Sequence, residues 1–81
     1  MTIEQLNQEI LSVVRQSTES DIPITSDTHL IRQMGLSSVE IMLLISDLED
    51  HFDISIPASK LRNAQTVGDL ADFVIDGIRQ S

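Results

Sequence analysis

The chain contains no cysteine, tryptophan or tyrosine, and its aromatic residues are two phenylalanines. Without cysteine it has no disulfide, thiolate metal site or sulfur nucleophile, so stability must come from packing, as suits a reducing cytoplasm. Basic residues are also scarce. Five Lys and Arg face thirteen Asp and Glu, a net charge of −8, which repels nucleic-acid backbones and anionic lipid headgroups within a Debye length of about 8 Å. No apolar run approaches the ~20 residues of a membrane span. The opening Met1-Thr2-Ile3-Glu4 lacks the basic and apolar regions of a secretion signal, so cytoplasmic location is expected.

With 81 residues, the expectation is one domain over 1–81, burying about 60 to 65% of its unfolded surface, with no room for a deep enzyme cleft. Helical spacing dominates. Thr2 and Gln5 open a helix expected from Ile3 to about Gln16, with Ile3, Leu6, Ile10, Val13 and Val14 on one stripe. Thr18 to Leu36 contains Pro23 and many Ser, Thr and Asp residues. It reads as a long loop pinned to the core by Ile22, Ile24, Leu30, Ile31, Met34 and Leu36, and ordered loops of that length are often functional.

A second helix is expected from Ser38 to about His51. Ile54, Ile56 and Pro57 then cross over in extended form, and Ala58 to Arg62 has room for only a short helix. Thr66 caps the last helix with Asp69 at its third position, and Val67, Leu70, Ala71, Val74 and Ile78 line the inner stripe. Strand alternation and internal repeats are absent. The fold class is therefore all-α: a small bundle of three main helices and one short one, with a long loop between helices one and two.

The most informative stretch is Gly35-Leu36-Ser37-Ser38-Val39-Glu40. A Ser followed three residues later by Glu, before an apolar run, is a capping box, which makes Ser37 the cap and Ser38 the first helical residue. The Ser38 hydroxyl then lies beside unpaired backbone N–H groups and the positive end of the helix dipole, where a phosphodiester is stabilised without a basic side chain. Taken alone, a serine pair at a helix start is more often only a cap.

The second helix carries more than a core stripe. At about 100° per residue, Ile41, Leu44, Ile45, Leu48 and Phe52 share an inward face, while Val39, Met42 and Leu43 project elsewhere. Interleaved with Glu40, Asp47, Glu49 and Asp50, they form an apolar patch ringed by carboxylates next to Ser38. That pattern suits a docking surface for a partner with a basic rim; the loop or the short helix folding over the patch is the alternative. His29 and His51 stand apart from any Ser or carboxylate at catalytic spacing and read as capping or surface groups. The acids of the second helix lie on a helix rather than in a calcium loop, and no metal site is expected.

Taken in order, these features resemble the acyl carrier protein family. The likeness runs through Ser37-Ser38-Val39, the acidic second helix ending in Glu49-Asp50-His51-Phe52, the crossover Ile54-Ser55-Ile56-Pro57, and Thr66-Val67-Gly68-Asp69-Leu70. The family carries 4′-phosphopantetheine, supplied by coenzyme A, on the Ser of an Asp-Ser-Leu triplet, so the resemblance implies attachment at Ser38. Two departures stand out. Ser37 replaces the usual Asp and brings no carboxylate to the modifying enzyme, and Val39 replaces Leu. Lys60 and Arg62 also make the usually acidic short-helix segment basic, which points to a specialised partner set.

The resemblance further implies a non-catalytic, monomeric carrier. It would hold acyl groups as thioesters for fatty-acid or polyketide synthesis and meet a phosphopantetheinyl transferase, ketosynthases, acyltransferases and reductases through Val39, Glu40, Met42, Leu43, Asp47 and Asp50. An aminoacyl or peptidyl carrier and an unmodified helical interaction domain are the alternatives.

Overall fold

A computed structural model describes residues 2–80. Three long helices, α1 (Ile3–Thr18), α2 (Ser38–Phe52) and α3 (Val67–Gln80), pack around one core, with a 3₁₀ segment at Ala58–Asn63 between α2 and α3. Among the described residues there is no strand, only an isolated antiparallel bridge joining His29 to Thr66.

Each long helix opens with the same device. Thr2 Oγ1 accepts from the Gln5 N–H at 3.1 Å while the Gln5 side chain accepts from the Thr2 N–H at 3.0 Å. Ser37 and Glu40 exchange the equivalent pair at 3.2 and 3.1 Å, as do Thr66 and Asp69 at 3.2 and 3.0 Å. Reciprocal caps satisfy donors that the first turn leaves unpaired, and so fix where each helix begins. The ends of α1 and α2 differ from the common glycine stop. Glu19 and Asp53 turn the chain in the left-handed region at φ 50° and 54°, a conformation that costs a non-glycine residue about 1–2 kcal/mol.

The side chains most fully removed from water are Ile10, Val14, Leu30, Leu44, Leu48, Leu70, Val67 and Val74. All three long helices and the loop contribute to that set. The expected stripes hold with exceptions at helix ends and on α3. Ile3 and Ile78 are exposed, and Phe73, outside the expected stripe, is buried instead, with the Lys60 ammonium 5.6 Å from its ring centre. Phe52 is half-buried against the core rather than within it.

α1 runs two residues past its expected end. In the loop, Ile24, Leu30 and Leu36 are buried as anchors, whereas Ile22 and Ile31 are exposed. Backbone bonds hold this segment down: Leu30 N–H donates to the Gln65 carbonyl at 2.8 Å, Val67 N–H to Thr28 at 3.0 Å and Leu36 N–H to Leu30 at 3.0 Å. Gly35, at φ 70°, makes the left-handed turn that ends the loop and delivers the chain to the α2 cap. The crossover is fixed by Glu49, whose carboxylate accepts from the Ile56 N–H at 2.8 Å. The expected short helix takes 3₁₀ form, with Lys60 N–H bonded three residues back to Pro57 at 2.9 Å and no side-chain cap.

Candidate functional site

The start of α2 divides its two serines by role. Ser37, at φ −82° and ψ 169°, is the cap, and its hydroxyl oxygen is occupied by the Glu40 N–H. Ser38 is the first helical residue and is exposed, and its hydroxyl makes no hydrogen bond among the described residues. Its oxygen can therefore form a new bond without undoing the cap. The adjacent first-turn N–H groups and the helix dipole stabilise negative charge beside it. A phosphate ester fits here on geometry alone.

The acids and apolar residues of α2 sort into different duties. Val39, Met42 and Leu43 remain 64%, 54% and 61% exposed, so neither the loop nor the 3₁₀ segment covers them. Asp47 and Asp50 are exposed beyond them. Glu40 is exposed too, but its carboxylate is held by the Ser37 N–H and so serves the cap. Glu49, counted in the carboxylate ring, is half-buried and spent on the crossover.

A small, mostly apolar opening of about 170 Å³ lies between α2 and the 3₁₀ segment, with Met42, Ile45, Ile56, Pro57, Leu61 and Glu49 among its lining residues.

The histidines behave differently from one another. His51 is the expected surface group, 44% exposed, and it meets Glu9 at 2.7 Å to link α2 to α1. Spacing within one helix gives no sign of a pair 42 residues apart. His29 is a local cap: its Nδ1 accepts from the backbone N–H groups of Ile31 and Arg32 at 3.3 and 3.1 Å.

Helical periodicity also passed over a second set near the serine. Ser38 borders a recess of about 390 Å³ whose other lining residues include His29, Ile31 and Arg32 from the loop and Leu61 and Arg62 from the 3₁₀ segment. Those residues share no element and no spacing. The one sequence sign was the unusual basicity of the short-helix segment.

Comparison with known proteins identifies the family. Residues 4–74 match the family defined by the phosphopantetheine attachment site. The acyl carrier protein of Exiguobacterium sibiricum is 32% identical over 75 residues, spanning 91% of this chain and 95% of the relative. A probable acyl carrier protein of Caulobacter vibrioides is 36% identical over 55 residues, spanning 68% of this chain and 64% of that relative.

Among solved structures, an acyl carrier protein candidate from Mycobacterium tuberculosis superposes with a TM-score of 0.80 at 31% identity, covering 88% of this chain and 96% of that one. The Thermotoga maritima acyl carrier protein, 19% identical, shares the fold with a TM-score of 0.78, covering 96% and 92% of the two chains.

Proposed function

The chain belongs to the acyl carrier protein family, whose prosthetic group is 4′-phosphopantetheine, and from that premise we propose that the arm is attached to Ser38. The observation that carries this reading is the contrast between two adjacent hydroxyls, one committed to a cap and the other exposed and unbonded. The Ser38 oxygen acts as a nucleophile once, on a phosphopantetheinyl transferase that supplies the base and the metal: it gives its proton to the base, bonds to the pantetheine-side phosphorus of coenzyme A and breaks the pyrophosphate, which releases adenosine 3′,5′-bisphosphate. When bound, the arm supplies a terminal thiol that holds an acyl group as a thioester. The body catalyses nothing itself. It presents the group to fatty-acid or polyketide synthesis enzymes in the cytoplasm, and the tether makes each delivery an intramolecular event at high effective concentration.

Ketosynthases, acyltransferases and reductases with basic surfaces dock on α2 in this reading. Val39, Met42 and Leu43 provide apolar contact while Asp47 and Asp50 steer the approach. Glu40 supports the same face by fixing the helix start. No described helix is long and apolar enough to cross a membrane, which fits a carrier that moves between enzymes.

Incubation with coenzyme A and a broad-specificity phosphopantetheinyl transferase, read by intact mass, tests the reading. One added phosphopantetheine per chain is expected. An unchanged mass for folded protein contradicts it and favours an unmodified interaction domain.

A further inference from the structure

The recess beside Ser38 is out of keeping with the rest of the surface. Acids outnumber Lys and Arg thirteen to five in this chain, yet the recess is lined by Arg32, Arg62 and His29, with no Asp or Glu among its lining residues. Neither guanidinium has an ion-pair or hydrogen-bond partner among the described residues. Lys60, two residues before Arg62, is engaged elsewhere, over the Phe73 ring. Because His29 Nδ1 accepts two backbone N–H groups, the neutral ring carries its proton on Nε2 and has a donor to offer.

The recess is also preformed. Its loop side is joined to the residues that follow the 3₁₀ segment by the Leu30–Gln65 and Thr28–Val67 backbone bonds at 2.8 and 3.0 Å and by the His29–Thr66 bridge.

We infer that Arg32 and Arg62, with His29 as a third donor, hold the phosphodiester that joins the arm to Ser38, so that the arm leaves the serine across this recess. The inference rests on Ser38 being the attachment residue. A phosphodiester carries one negative charge on two non-bridging oxygens, which suits the planar donor fork of arginine. Added to an acidic body, that charge favours the one side of the serine where cations are gathered. Exposed arginines bind a free anion weakly. Here the phosphorus would be bonded directly to the oxygen of Ser38, itself a lining residue, so the anion is tethered at the edge of the recess. A carboxylate on the cargo would meet the recess only if the whole arm folded back.

The test compares apo and holo protein by ¹H,¹⁵N and ³¹P NMR for the natural chain, Arg32→Gln, Arg62→Gln and the double variant. Modification at Ser38 is confirmed by peptide mapping and folding by circular dichroism. The Arg32 and Arg62 side-chain Nε–H signals are expected to move on conversion to the holo form. The ³¹P resonance of the natural protein should differ in shift, and relax as a less mobile group, relative to the double variant. Raising salt should carry the natural resonance towards the double-variant position, and the Arg→Lys pair should retain part of the difference.

If Ser38 is modified and the ³¹P shift and relaxation are the same in natural and double-variant protein, the clamp is overturned while the attachment stands. Arginine signals that respond to a malonyl cargo but neither to an acetyl one nor to conversion to the holo form overturn it in favour of a carboxylate site. Modification at a residue other than Ser38 overturns attachment and clamp together.

Discussion

The three long helices start with the same reciprocal cap and part company at the residue just after it. Thr2, Ser37 and Thr66 each exchange a reciprocal pair of hydrogen bonds with the residue three places on. The next residue is Ile3 in α1, Val67 in α3 and Ser38 in α2. Val67 is buried and joins the core, Ile3 lies exposed without a polar group, and Ser38 puts a hydroxyl on the surface. The capping chemistry is therefore structural in all three places. What sets α2 apart is a single side chain added to a start that was already satisfied.

The largest effect that can break this comparison comes from Ser38→Ala. The cap does not use the Ser38 side chain, so the variant is expected to fold with unchanged circular dichroism and to lose phosphopantetheine modification altogether, as read by intact mass.

The caps should also separate among themselves. Asp69 accepts from two N–H groups, an exposed one of Gln65 at 2.9 Å and a part-buried one of Thr66 at 3.0 Å. Asp69→Ala should therefore cost about 1.5–3 kcal/mol in denaturant unfolding, the range for hydrogen bonds to a charged group. Gln5→Ala in the exposed α1 box should cost less, about 0.5–1 kcal/mol. Equal losses would mean that burial does not distinguish the boxes.

On the docking face, Met42→Ala should raise the dissociation of a partner synthase by the equivalent of about 1–2 kcal/mol if Met42 is a central contact. Asp47→Lys and Asp50→Lys should slow association and flatten its salt dependence. Turnover of the loaded carrier across a salt series reads both. No change for all three variants would move the docking surface away from α2.

The smallest effect concerns helix ends. Glu19→Gly removes a left-handed non-glycine residue and should raise stability by about 0.5–1 kcal/mol in chemical denaturation.

The features legible in the sequence were those built from neighbours along the chain. Capping boxes span three residues and stripes repeat within one helix, so all three helix starts agree with the structure, as do the stripes of α1 and α2 apart from Ile3 and Phe52 at the helix ends. The placement of Ser37 as the cap and of Ser38 as the first helical residue was legible for the same reason. Contacts between elements were not. His51 with Glu9 joins two helices, Glu49 leaves the acidic ring to cap a crossover, and Lys60 lies over Phe73, which helical spacing had left outside the stripe.

The loop anchors divided because loop backbone has no fixed period. Leu30 and Leu36 point inward while Ile31 between them stays exposed, and the cationic recess is assembled from two such aperiodic segments. In each case, positions distant in sequence meet through backbone geometry that no local pattern encodes.

The central claim, that one of two adjacent serines caps α2 and the other carries the arm, is tested most directly by mapping the modified peptide in the natural chain, Ser37→Ala and Ser38→Ala after treatment with coenzyme A and a transferase. Phosphopantetheine on Ser38 in the natural chain and in Ser37→Ala, with about 0.5–2 kcal/mol of stability lost in the latter and no modification of Ser38→Ala, is the predicted result. Phosphopantetheine on Ser37, or its persistence in Ser38→Ala, would contradict it.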